Sequence, residues 1–257
     1  MPLEILQIKI LQDNYAYLLT EETTRKAAVI DPGSAKPVLQ TLLANNLSLT
    51  HILLTHHHYD HSGGVAELKK QYPKAEVAIH KNDAGHLTVT ADRQLQEGET
   101  LTFGNTPIKI LHLPCHTRGH VAFLVNDALF TGDTLFTAGC GKFFEGTATE
   151  MLGNLKRLKS LPETTIIYCG HEYTVENLEH AQQADPTNQN INERLQKARQ
   201  KQAESIPLVP ATMVLEFATN PFLRLDNHTL QQQLKTTNEL DTLIALYHIY
   251  YRETPSI

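Results

Sequence analysis

Short apolar runs separated by turn residues fill about the first two thirds of the chain. LEILQIKI (3–10) alternates with a period of two, the pattern of a half-buried strand. KAAVIDPG (26–33) is an apolar run stopped by Pro32 and Gly33, and KPVLQTLLANN (36–46) reads as a helix closing near Asn45 and Asn46. LTHILLTH (49–56) predicts a buried strand. GVAELKKQYP (64–73) predicts a helix ended before Pro73, and AEVAIH (75–80) a further strand. TPIKILHLP (106–114) and HVAFLVNDALFTGD (120–133) predict strands with turns between them. An amphipathic helix follows at TATEMLGNLKRLKSLP (147–162), and TTIIYCGHE (164–172) is the last clear strand. Beyond Thr174 the pattern becomes charged, Gln-rich and helical in period, at 175–205 and again at 226–253. The expected division is an α/β domain over 1–174 and a smaller helical domain over 175–257.

Length and composition narrow the classes. The chain has 257 residues, is 41% hydrophobic and carries a net charge of −6, which argues against a nucleic-acid partner. The opening MPLEILQIKI has no basic segment followed by an apolar one, and no apolar run reaches membrane-spanning length. No secretory signal and no membrane partner are therefore expected. Cys115, Cys140 and Cys169 are odd in number and lack CxxC spacing, which fits a reducing cytoplasm. A monomer is expected. Histidine is the outlier, with 14 copies against 3 Met and no Trp.

Those histidines are placed unevenly. THHHYDHSGG (55–64) puts four imidazoles and a carboxylate within six residues, with Gly63 and Gly64 allowing a tight turn after them. If His56 and His58 end a strand, they share one of its faces and can grip one ion. LPCHTRGH delivers His116 after one predicted strand, LFTGDTLF delivers Asp133 after another, and IIYCGHEYT delivers His171 after a third. Strand ends are where α/β sites assemble. His56, His58, Asp60, His61, His116, Asp133 and His171 are too many for one tetrahedral ion, so two ions sharing a carboxylate are expected, with positions left for water. The set has no thiolate, and its N/O donors suit Zn, Fe or Mn. Two divalent ions less two aspartates and a bridging hydroxide leave net positive charge, suited to an oxyanion forming on a carbonyl. His57 is expected to point away from the ions. His120 and Asp31 are each either a support for the site or an ordinary packing or turn residue. Cys115 and Cys169 are expected to pack.

The first motif is similar to the THxHxDHxGG signature of the metallo-β-lactamase superfamily. The ordered set PCHTRGH, FTGDTLF, GCGKFFEGT and GHEYT, with NPFLR beyond it, resembles the glyoxalase II (hydroxyacylglutathione hydrolase) family along essentially the whole chain. The resemblance implies a four-layer αβ/βα sandwich followed by a small helical, substrate-binding domain. It implies one ion on His56, His58 and His116 and a second on Asp60, His61 and His171, with Asp133 bridging, so that Asp60 and Asp133 act in catalysis. Zinc is the first choice for both. It implies hydrolysis of S-D-lactoylglutathione to D-lactate and glutathione by a bridging hydroxide, as in methylglyoxal detoxification, and substrate contacts from Lys142 and Tyr173. A thioester suits such a site, because a thiol of pKa ~8.5 leaves readily as thiolate without a strong protein acid.

Two features depart from that family. Phe144 stands where the family usually has Tyr, so the substrate meets a ring without a hydroxyl. The last helix, LIALYHIYYRE, carries Tyr247 and Tyr250 where the family has an Arg-x-x-Lys pair for the glycine carboxylate of glutathione, and Arg252 is the permanent cation nearby. Weaker glutathione binding or a different thioester follows as an expectation. The main rival is a mononuclear iron persulfide dioxygenase, which shares the first motif but generally lacks the second ligand set and the helical domain. A β-lactamase, a nucleic-acid-cleaving enzyme and a non-enzymatic binding module fit less well.

Overall fold

The computed structural model describes residues 3–257 and divides into two compact units. One gathers the chain through Leu113 together with Thr117–Gly132; the other gathers Pro114–His116 and Asp133–Ile257.

In the first unit, β1 (Glu4–Ile10), β2 (Asn14–Glu21) and β3 (Lys26–Ile30) run antiparallel. After α1 (Ala35–Ala44) the pairing turns parallel, through β4 (Ser48–Leu53), β5 (Glu76–His80) and β6 (Arg93–Leu95), with α2 (Tyr59–Ser62) and α3 (Val65–Gln71) between β4 and β5. β7 (Thr100–Phe103), β8 (Thr106–His112), β9 (Val121–Val125) and β10 (Ala128–Gly132) form an antiparallel meander in a second sheet. The alternation read from LEILQIKI has its cause here. Ile8 and Ile10, with Ala16, Leu18, Val29 and Ile52, pack against Val38 and Leu42 of α1 and Leu68 of α3. β2 has no counterpart in the sequence pattern, because seven of its eight residues are buried and both faces are apolar, which erases the period of two. Its other face meets the second sheet, with the Tyr17 and Phe130 rings 5.3 Å apart.

β4 stops at Leu53, so His56 and His58 lie beyond the strand, and their partnership is not that of one strand face. The peptide from Leu54 to His58 is a loop that enters α2, with His58 at its N-cap (φ −54, ψ 146). Gly63 and Gly64 also differ from expectation. Both have ordinary right-handed helical backbone, and what Gly64 provides is space: a Cβ there would lie 2.4 Å from the Pro32 carbonyl oxygen.

The second unit holds the short hairpin of β11 (Leu135–Phe136) and β12 (Gly139–Cys140), then α4 (Ala148–Lys159), whose Thr147 and Glu150 form a capping box. β13 (Ile166–Cys169) pairs with the two-residue β14 (Ala211–Thr212). Between them α5 (Thr174–Ala184) and α6 (Gln189–Ala203) pack through Leu178, Ala181, Ile191 and Leu195, the apolar stripe inside the Gln-rich stretch. α7 (Met213–Thr219), α8 (His228–Leu234) and α9 (Glu239–Tyr251) complete the unit. Among the described residues, no helix is long and apolar enough to cross a membrane.

Candidate metal centre

Each unit carries part of the candidate ligand set, and in each part hydrogen bonds select the ring nitrogen left for a ligand. In the first unit, Asp31 sits buried after β3 in left-handed backbone (φ 51). Its Oδ1 accepts from the Thr55 amide at 2.7 Å, and its Oδ2 accepts from the Thr55 hydroxyl at 2.6 Å. The one hydroxyl proton of Thr55 is thereby committed. Thr55 Oγ1 also lies 3.0 Å from His56 Nδ1, so that nitrogen is the donor and His56 Nε2 carries the bare lone pair. His61 Nδ1 lies 3.1 Å from the same Asp31 Oδ2 and donates to it, so its Nε2 is bare as well.

The bare nitrogens face other ligand atoms. His56 Nε2 is 3.1 Å from His58 Nδ1, and His61 Nε2 is 3.5 Å from Asp60 Oδ2. Asp31, His56 and His61 offer ligand atoms all within 4.8 Å of one another. Asp60 is oriented by Asn14, whose amide donates to its Oδ2 at 2.9 Å. The His120 ring, fully buried, stacks on His56 at 4.9 Å. His57 takes the other direction: its Nδ1 lies 3.0 Å from Asp83 and its ring stacks on His86.

In the second unit, His116 Nδ1 donates to the Lys142 carbonyl at 2.9 Å, leaving Nε2 bare. That Nε2 lies 3.5 Å from Asp133 Oδ2, and His171 Nε2 lies 3.3 Å from the same oxygen. One carboxylate oxygen thus stands between two imidazoles that come from loops far apart in the sequence. Tyr173 stacks on the His171 ring at 4.7 Å, and Phe144, exposed, lies 5.0 Å from the His116 ring. Cys115 and Cys169 are buried; Cys169 donates to the His171 carbonyl, and burial pushes its thiol up to about 12. Neither thiol has ligand character.

The C-terminal helix is used differently from a substrate grip at two of its positions. Tyr250 donates to the carbonyls of Ala138 (2.8 Å) and Asn177 (3.1 Å), and Tyr247 accepts from the Phe143 amide at 3.3 Å. Tyr251 donates to the Cys140 carbonyl. Three phenols on α9 therefore hold the 138–143 segment whose Lys142 carbonyl orients His116. Desolvation raises the Tyr247 phenol to about 12 and the other two well above the ordinary value, so all three stay neutral, Tyr250 and Tyr251 as donors and Tyr247 as the acceptor of the Phe143 amide. Lys142 Nζ pairs with Glu253 at 2.6 Å, and Arg252 is exposed at the left-handed C-cap of α9.

Sequence reasoning gave the candidate ligands and left Asp31 open. It did not single out Asn14, Thr55 or Asp83. These are polar residues in β2, after β4 and after β5, and only their buried hydrogen bonds distinguish them. Imidazole nitrogens with their partners fixed, facing carboxylates and one another, suit a divalent metal centre.

The model of the metallo-β-lactamase superfamily matches residues 11–171, and that of the hydroxyacylglutathione hydrolase C-terminus matches 172–248. The cytoplasmic hydroxyacylglutathione hydrolase of Arabidopsis thaliana is 41% identical over 249 residues, 94% of this chain and 95% of that one. The hydroxyacylglutathione hydrolase of Gloeobacter violaceus is 42% identical, over 88% of this chain and 90% of its own. Among solved structures, TTHA1623 in a di-iron-bound form matches with a TM-score of 0.61 and 28% identity, over 86% of this chain and 100% of that one.

Proposed function

The chain belongs to the hydroxyacylglutathione hydrolase family of the metallo-β-lactamase superfamily, and on that premise we propose that it hydrolyses S-D-lactoylglutathione to D-lactate and glutathione. The observation that carries this is the convergence of His116 and His171 Nε2 on one Asp133 oxygen; in the other unit the His56 and His61 tautomers are likewise fixed. The fold and these His and Asp groups fit a divalent metal centre. The finer assignment is His56, His58 and His116 to one ion and Asp60, His61 and His171 to the other, with Asp133 shared.

Neutral imidazole and carboxylate donors without thiolate favour zinc, with iron or manganese as substitutes, and the di-iron form of TTHA1623 supports a pair of ions. When bound, such ions activate water and polarise a carbonyl oxygen. The chain's own residues do the rest. Asp31 and the Lys142 carbonyl hold His61 and His116 in the ligating tautomer. Asn14 aims Asp60, and the Phe144 ring beside His116 and the Tyr173 ring on His171 offer apolar walls to an acyl group. Lys142 and Arg252 are the cations offered to the carboxylates of glutathione. The residues expected to form the catalytic and substrate-binding domains are 1–174 and 175–257; the two family models meet at 171 and 172, which supports that division. The chain is assigned to the cytoplasm as a monomer, and the first point is supported by its similarity to the Arabidopsis enzyme named as the cytoplasmic form.

The test is to count metal per chain in purified protein and follow thiol release from S-D-lactoylglutathione. Turnover that scales with two equivalents supports the proposal. Metal-replete protein that leaves this thioester intact overturns it. A second reading, hydrolysis of a thioester with a less anionic thiol, is favoured by one observation: Lys142 is already paired with Glu253, while Tyr247 and Tyr250 bind the protein's own backbone. Comparing lactoylglutathione with uncharged thioesters decides between them.

A further inference from the structure

Asp83 follows β5, is 1% exposed, and is a carboxylate that the ligand assignment does not use. Its Oδ2 accepts from the His57 amide at 3.1 Å, lies 3.0 Å from His57 Nδ1, and accepts from the Thr117 hydroxyl at 2.8 Å. Its Oδ1 accepts from the Gly119 amide at 2.7 Å. Gly119 makes that approach possible, since a Cβ there would lie 2.3 Å from Asp83 Oδ1. Two chain segments are therefore tied to one side chain. His57 lies between His56 and His58, and Thr117 directly follows His116.

We propose that Asp83 is a positioning residue for the ion assigned to His56, His58 and His116, pinning the peptide between two of its ligands to the peptide that follows the third. A carboxylate has the acceptor capacity for this, and a buried one gives each bond more strength than it has in water. The backbone amide of His57 bonded to Asp83, with its ring beside that carboxylate and stacked on His86 at 4.3 Å, locks the loop so that His56 and His58 stay facing each other. The role presupposes that these three histidines share an ion. It does not depend on the identity of the thioester.

The test compares wild type, Asp83→Asn and Thr117→Val, each checked for folding by circular dichroism, by titrating zinc against a chromophoric chelator. Asp83→Asn keeps the shape but cannot accept all these bonds, and Thr117→Val removes a single donor. The expected result is selective: one of two zinc equivalents binds on the order of 10- to 100-fold more weakly in Asp83→Asn and several-fold more weakly in Thr117→Val, while the other equivalent is unchanged. A general loosening of the fold would weaken both equivalents together, and that outcome overturns the proposal. Unchanged affinities in folded Asp83→Asn overturn it too, and if that variant does not fold, unchanged affinities in Thr117→Val do so. Wild type that binds no zinc sinks the ligand assignment itself and this role with it.

Discussion

Asp31 Oδ2 lies 3.1 Å from His61 Nδ1 and 2.6 Å from the Thr55 hydroxyl that in turn receives the proton of His56 Nδ1. A single buried carboxylate thus decides which nitrogen two histidines present. Asp31→Asn replaces an oxygen that accepts two bonds with an amide that cannot accept both, at a left-handed position Asn tolerates. The expected result is metal affinity lower by about 10- to 100-fold, because the ligating tautomers are no longer enforced. Chelator competition measures it, and affinity equal to wild type would show the tautomers to be set elsewhere.

Asp133 stands between His116 and His171, 3.5 and 3.3 Å from their Nε2 atoms. On the proposed assignment, Asp133→Ala removes the carboxylate shared by both ions, and His58→Ala removes a ligand of only one. Turnover is expected to fall to background in both, with the metal content of Asp133→Ala lowered further than that of His58→Ala. Elemental analysis alongside a thiol-release assay checks this; activity surviving in metal-poor Asp133→Ala protein refutes the shared role.

Glu253 holds Lys142 at 2.6 Å, and the C-terminal segment that carries it is fixed by the Ala148 amide donating to the Ser256 carbonyl at 2.7 Å. Glu253→Gln frees the ammonium. KM for lactoylglutathione is expected to fall roughly two- to fivefold, the size of an exposed ion pair, while KM for a thioester with an uncharged thiol stays where it was. Equal shifts for both substrates would remove Lys142 from the thiol end of the site.

Arg194 and Glu216 form a buried pair at 2.6 Å, and Glu216 Oε2 also accepts from the Ala138 amide at 2.8 Å and from Asn220 at 3.0 Å. Glu216→Ala leaves a buried guanidinium and a buried amide short of partners. A loss of about 3–5 kcal/mol in urea unfolding is expected. A loss below about 1 kcal/mol would mean that water enters and solvates Arg194.

His80 stacks on His112 at 4.0 Å and its Nδ1 accepts from the Asn82 amide, so it is held neutral. Desolvation, then the His112 charge, lowers its pKa from 6.5 to about 4. Between those values the unfolded chain binds the proton and the folded one does not, so stability rises with pH there. The contribution is complete above about pH 6.5 and lost as pH falls toward about 4. In melts across that range, His80→Gln should lose stability less steeply in acid than wild type; parallel curves would place the acid sensitivity elsewhere.

The linear chain by itself determined the candidate ligand types and their order. Imidazole and carboxylate clusters after strand-like runs are local facts, and so are the period of two in β1 and the stops at Pro32, Gly33 and Pro73. It could not show β2, because a strand buried on both faces loses its alternation. It could not show that His56 and His58 lie past the end of β4, since an apolar run does not mark where the ladder stops. Nor could it show how Asp31, Thr55, Asn14 and Asp83 act, or that Tyr247 and Tyr250 bind the protein's own backbone. Those assignments depend on which donors meet which acceptors once water is excluded, and residues separated by tens of positions come within 3 Å only through the packing of the sheets and helices that carry them.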